Sequence, residues 1–402
     1  MNRRNFLQLS GAATAGAAIT MLSPAAAKAF ISDPCQNPAI LPGYIPSITS
    51  AWIAQGTQAS SYAIFAATIE AATDFSWLAP GDSVFLKLAL NSGNANPATT
   101  DPWAVQCMIQ LLLAKGAGKV FVGDQSGAEY VIVAQSSKRG SSRTLCSNAG
   151  LLSVITANGA QPIFFDEYGY NAYSQIAPPT PNHWPTSPYV TNCISQFDHI
   201  IYMPRVGSHI LADFSAGMKI AIGFLRDDSR CLLHKAGTNF YAMYEEVSQI
   251  PQIKSKLRLV VSSGMNVLTT CGPDSGYVST PNYGLLFAST DLLAHDAMSY
   301  AWLQWNYAYN TPSNDQTAPP TNTGRAMVNS MFVSMFFNGV AGYNNTTSSL
   351  PANICLPNVY THRAMANYVA RIGGRPAGFN WTQITQNPDA SVPRFMLGIM
   401  NG

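Results

Sequence analysis

Apolar positions along the chain gather into short runs, separated by polar, glycine-rich segments. "DSVFLKLALN" (82–91) is apolar on both alternating phases, which predicts a strand buried on both faces. "TTDPWAVQCMIQLLLAKGAG" (99–118) follows. Its capping residues, its proline in the first turn, its apolar stripe and its closing Gly116 predict a helix. "KVFVGD" (119–124) is a second strand, and strand–helix–strand predicts a parallel pair with a right-handed crossover. The pattern recurs with "NAGLLSVITANGA" as helix and "QPIFFDE" as strand, and "DHIIYMP" (198–204) and "LRLVVSSG" (257–264) add two more strands. The expected fold class is α/β, a mostly parallel sheet of about five strands with flanking helices over residues 80–305. Residues 30–79 read as an N-terminal arm and first helix, because 30–60 is rich in Pro, Ser and Ala. "STDLLAHDAMSYAWLQW" (289–305) reads as a capped amphipathic helix. Residues 306–402 read as a loop-rich, helical C-terminal region. In it, "RAMVNSMFVSMFFNGV" (325–340) is expected to be a buried helix whose methionines and phenylalanines are core.

Open parallel sheets bind ligands beyond the carboxyl ends of their strands. The segments that fall there are "NSGNANPATTD" (91–101), "GDQSGAE" (123–129), "DEYGYN" (166–171) and "PRVGSHILADFSAGMK" (204–219). The last is the richest in chemistry. It places His209 and Lys219 ten positions apart in a chain with only six histidines. On one helix they would lie about 15 Å apart and some 80° round from each other. Convergence therefore requires "ADFSAG" to fold back, or a bound group to bridge the gap. Ser215 and Gly217 allow close backbone approach and are candidate cofactor contacts. A partly desolvated lysine is a nucleophile or the partner of an anion, and histidine serves as ligand or base near neutrality. The competing reading is a satisfied core histidine and a solvated lysine. Asp124 and Asp101 fit orienting carboxylates or helix caps equally. Asp166 and Glu167 are adjacent and point to opposite faces of a strand. Cys231 and His234 offer a metal half-site or ordinary helix packing. "GDQSG" lacks the rest of a phosphate-binding pattern.

Charge changes the picture by exclusion. Charged residues are 10% of the chain and apolar ones 47%. The formal charge is +2, and removal of Arg3, Arg4 and Lys28 leaves 19 basic residues against 20 acidic ones. Nothing suggests a nucleic-acid partner, which requires a basic face. Those three residues lie in "NRRNFLQLS", the run "GAATAGAAITML" and "AAAKA". Together these read as a twin-arginine export signal over residues 1–29. The translocase is then a partner, and the location is periplasmic or secreted. No later run is long enough for a membrane span, so the mature chain is expected to be soluble. The seven cysteines allow one to three disulfides. No C-x-x-C occurs, so no iron–sulfur cluster is expected.

Several of these segments, taken in order, resemble one family. "VFLKLALN", "TTDPWAVQCMIQLLLAKGAGKVFVGDQSG", "DHIIYMPRVGSHILADFSAGMKIAIG", "GPDSG" and "ASTDLLAHDA" are similar to the domain of unknown function 362 family of α/β proteins, over residues 80–300. A more distant likeness is to the nickel-pincer lactate racemases, which have a similar His-x9-Lys stretch. That likeness implies Lys219 as the tether of a nickel cofactor, His209 as an acid/base and His234 near the position of a metal ligand. The racemases' second base histidine has no counterpart in "GDQSGAE", so two-base racemisation is not implied.

The expectation is an exported protein, an enzyme with a cofactor containing nickel or another transition metal near His209, Lys219 and His234. The alternatives are a non-catalytic envelope protein binding a small molecule, or a self-assembling surface protein, which would suit a weakly charged surface rich in Asn, Ser and Thr.

Overall fold

The structure, a computed structural model, describes residues 37–316, 322–337 and 358–402; the export signal therefore lies outside the described residues. Its eight main strands are β1 (Ser47–Ala54), β2 (Ser83–Leu88), β3 (Lys119–Asp124), β4 (Gln161–Phe164), β5 (His199–Met203), β6 (Leu257–Gly264), β7 (Tyr283–Ser289) and β8 (Asn380–Gln383). They form one sheet in the order β8-β1-β7-β6-β5-β2-β3-β4. Only β7 runs against the others. The fold is α/β with a mostly parallel sheet, and the five strands read from apolar runs form the unbroken parallel block β6-β5-β2-β3-β4.

Three strands escaped that reading. The segment expected to be an arm supplies β1, whose "SITSAWIA" is buried at six central positions. Serine, threonine and alanine disguise it, yet small residues suit a strand covered on both faces. β7 runs antiparallel, and β8 is a short edge strand with exposed positions.

The helices used below are α1 (Tyr62–Ala72), α2 (Pro102–Ala114), α3 (Leu151–Ala157), α4 (Gly217–Ile220), α5 (Asp227–His234), α6 (Phe240–Val247), α7 (Leu292–Asn310), α8 (Asn322–Phe336), α9 (Arg363–Ile372) and α10 (Ser391–Asn401). Alternation along β2 sorts the two layers. Val84, Leu86 and Leu88 pack with Ile69 of α1, Met108 of α2 and Ile155 of α3. Phe85 points the other way, stacks on Phe197 with ring centres 4.4 Å apart, and joins the layer holding α6, α7, α9 and α10. Asp101 caps α2, accepting from the Trp103 N–H. No helix among the described residues is long and apolar enough to cross a membrane.

The α8 segment is helical, but it is not wholly buried as its sequence suggested. Met327 is 38% and Met335 51% exposed, and the stripe Val328, Met331, Phe332, Met335 and Phe336 faces a cavity instead of solid core. Residues 338–340 of that reading lie outside the described residues. The five described cysteines are all free thiols, so any disulfide would have to involve Cys35 and Cys355, which lie outside the described residues. Cys107 sits in the core behind the sheet, and burial pushes its thiol up to about 12.

Candidate functional site

Loops from the carboxyl ends of β2, β3, β5 and β6 enclose a cavity of about 320 Å³. Asn91 and Asn94 come from the first loop, and residues 124–130 from the second. His209, Ser215 and Lys219 come from the third, and 272–275 from the fourth. Arg230 and His234 of α5, one turn apart, enter from the side. His209, Lys219, Ser215, Asp124 and His234 therefore line one space. Gly217 does not. Its N–H donates to Asp296 Oδ1 at 2.7 Å, and a side chain there would press on Leu292, Asp296 and Val260.

The chain between His209 and Lys219 does fold back. Gly207–His209 pairs antiparallel with Asp213–Ser215, with His209 opposite Asp213. Asp213 takes a φ of 66°, a left-handed turn conformation that aspartate tolerates better than most residues. Lys219 then sits on the single turn α4. The whole loop is clamped at both ends from β6 and α7. Ser262 Oγ donates to the Pro204 carbonyl at 2.9 Å, Asp296 accepts from the Gly217 and Met218 N–H groups, and His295 bridges Ser262 and Asp296. This Ser–His–Asp row is buried and its hydroxyl is engaged, so it acts as a brace for the lysine.

The tautomers of the two cavity histidines follow from their partners. The Leu211 and Ala212 N–H groups donate to His209 Nδ1 at 3.1 and 3.3 Å, so the ring proton sits on Nε2. Taking up a second proton would break both bonds. His209 is therefore built as a hydrogen-bond donor through Nε2–H, and the base role implied by its sequence context fits this geometry poorly. At His234, Asn329 Nδ2 donates to the His234 carbonyl at 2.7 Å, which turns Asn329 Oδ1 toward Nδ1 at 3.0 Å. Nδ1 then carries the proton and the lone pair lies on Nε2, the atom suited to a ligand role. Burial among Phe240, Phe332 and Phe337, beside Lys219 and Arg230, lowers His234 to about 4, so the ring is neutral at physiological pH.

Lys219 has no hydrogen-bond or ion-pair partner among the described residues. Burial, with Arg205, Arg230 and Lys87 nearby, brings its pKa down to about 7, and Asp274 offsets part of that. Asp213 is not its counter-ion, because it accepts from the Tyr241 hydroxyl at 2.9 Å and lies 3.5 Å from His362. Asp124 is engaged as well. Its Oδ1 lies 2.5 Å from the fully buried Lys87 ammonium, and its Oδ2 accepts from the Leu90 N–H. Arg230 donates to the carbonyls of Leu225, Ser126, Gln125 and Gly223, tying the β3 turn to α5.

Lys87, Arg230, Asn91 and Asp274 were not singled out by sequence. Lys87 carried a usable signal, since a lysine inside a strand buried on both faces demands a partner. Asp166 pairs with Lys138 and Glu167 with Arg143, both away from the cavity. His183, His199, His295 and His362 do not line it. Cys231 packs beside Val333, with burial pushing its thiol up to about 12. No group of three or more His, Cys, Asp or Glu among the described residues is arranged to hold a metal ion.

Fold and site together define an α/β protein with a cavity of about 320 Å³ at its strand ends. The chain belongs to the family described as domain of unknown function (DUF362), whose model matches residues 84–301, more than half its length. Residues 1–20 match the twin-arginine translocation signal, so the chain is exported across the membrane by the twin-arginine translocase. No curated protein matches the chain. A crystallised protein from Thermotoga maritima is 12% identical, with a TM-score of 0.31; the match covers 52% of this chain and 51%, about half, of that one.

Proposed function

We propose that this chain is an exported enzyme that holds an organic group in the strand-end cavity, with Lys219 as its anchoring amine. The observation that carries this reading is an unpartnered lysine facing a cavity shared with His209 and His234. A pKa of about 7 leaves a large neutral fraction at physiological pH, as a nucleophilic lysine requires. His209 donates its Nε2–H to an oxygen of the bound group, and Ser215 and Asp124 border it.

Among the described residues, the chain's own donors do not make a metal site. A nickel or other transition metal fits here only if the organic group brings donors of its own. Lys219 would then hold the group, His234 would be the side chain offered to the metal, and the metal would supply Lewis-acid chemistry. Export of an already folded chain suits a group loaded before translocation.

The test is intact mass and elemental analysis of protein exported by its own host. The expected result is a mass above that of the mature chain, lost in both Lys219→Ala and Lys219→Arg, because a guanidinium is not a nucleophile. A wild-type mass equal to the calculated one rejects the covalent anchor. Retained ligand in Lys219→Arg would favour the second reading, a non-catalytic binding protein, which the predominantly apolar lining of the cavity also suits.

A further inference from the structure

The cavity lining is chemically of two kinds. Its polar members include Lys219, the donor edge of His209, and Asn91, whose buried amide Nδ2 has no hydrogen-bond partner among the described residues. Asp274 stands beside them, with Oδ2 accepting from the Tyr130 hydroxyl at 3.2 Å. Its apolar members include Val328, Met331, Phe332, Met335 and Phe336 of α8, at spacings of three and four residues, a single apolar stripe. Methionine and phenylalanine adapt to varied apolar shapes, and methionine-rich surfaces recur where the partner is a flexible hydrocarbon or ring. A small hydrophilic ligand would leave these apolar side chains without contact.

We infer that the ligand is an amphiphile, with one oxygen-bearing head at Lys219, His209 and Asn91 and an apolar body laid against the α8 stripe. The inference rests on the reading that this cavity is the functional site, but it does not depend on a covalent bond to Lys219. Specificity then lies in the apolar wall, and each buried methylene raises affinity about fourfold.

The test is displacement of an anionic aromatic fluorophore, 8-anilinonaphthalene-1-sulfonate, from the purified mature chain by straight-chain carboxylates from acetate to decanoate. Affinity is expected to climb severalfold per methylene until the cavity is filled. Met335→Asp is the main variant, because Met335 is half exposed and its loss should not disturb folding. It is expected to flatten the chain-length series at least tenfold at the long end and to weaken acetate far less. Lys219→Met is expected to weaken every carboxylate alike and to keep the slope. A flat series in the wild-type protein, or a series unchanged by Met335→Asp, overturns the inference. A steep series in a protein that carries no adduct at Lys219 upholds it and rejects only the covalent anchor.

Discussion

Two lysines lie close to the cavity, Lys87 beneath its floor and Lys219 in its wall, and burial affects them differently. Lys87 leaves β2 toward Asp124 at the end of β3, with an Nζ–Oδ1 distance of 2.5 Å, and also donates to the Leu88 carbonyl. Phe224 covers the pair, and Gly223 leaves room for it. Lys219 has comparable neighbours in Arg205, Arg230 and Asp274, yet none accepts from its ammonium. A closed pair holds strand ends together; a desolvated amine without an acceptor is a group kept ready for something else. On the proposed reading the floor is structural and the wall chemical, although both present the same residue type at the same end of the sheet.

The largest effect expected from this contrast is on the floor. Lys87→Met leaves the Asp124 carboxylate buried beside the Leu90 and Gln125 N–H donors and without its cation. Removing one partner of a buried pair costs about 3–5 kcal/mol, and urea unfolding should register that loss. Lys87→Met with Asp124→Asn should recover much of it, since no bare charge then remains. If the single variant is as stable as wild type, the pair does not hold the floor. Next in size is Gly223→Ala. Its Cβ would overlap the Asp124 carboxylate and the Lys87 ammonium, and overpacking of this kind costs about 1–3 kcal/mol. A thermal midpoint unchanged by Gly223→Ala would mean the pair can shift aside.

The sequence made the parallel block legible, because each strand of a doubly covered sheet is a run of apolar residues too short for a helix. It also made the cavity's location legible, since loops after parallel strands gather at one end. What it hid is instructive. β1 is built from Ser, Thr, Ala, Ile and Trp, and small polar residues in a covered strand look like linker. The cation of Lys87 stood in plain view, but its partner is 37 residues later in the chain, and only the β2–β3 register brings them together. Arg230 and Asn91 have no local pattern; their meaning lies in carbonyls and vacancies contributed by other loops. The stripe on α8 was visible as a helix period, but whether such a stripe faces core or cavity depends on what the opposite wall leaves open.

On the wall the expected sign reverses. Lys219 is an unpaired cation held in a desolvated place, so Lys219→Met should stabilise the unloaded protein at pH 7, by about 1–2 kcal/mol after allowing for its contact with the cavity. The pH dependence follows. A folded pKa of about 7 against an ordinary 10.5 means the unfolded chain binds the proton first as pH falls. Wild-type stability is therefore lost between about pH 10.5 and 7 and is flat below that window. The gap between variant and wild type should accordingly close as pH rises toward 10.5. A gap independent of pH would show that the amine is already paired.

The smallest effect at neutral pH is expected at His234. Its ring is neutral there, so His234→Phe exchanges one hydrogen bond to Asn329 for better contact with Phe240, Phe332 and Phe337, a change of about 1 kcal/mol or less. The consequence of acid is larger. With the folded pKa lowered from 6.5 to about 4, the unfolded chain takes the proton first, and wild-type stability should fall as pH drops from 6.5 to 4 and level off below. His234→Phe should remove that segment of the curve, and ring carbon shifts should show one histidine still neutral at pH 5. The same variant separates wall from ligand. If His234 Nε2 serves a metal carried by the group on Lys219, His234→Phe keeps the added mass and loses the metal. If His234 is only part of the aromatic wall, metal content per adduct stays as in wild type. A histidine that titrates near 6.5 would contradict the burial that keeps the ring neutral, and with it the ligand role proposed for its Nε2.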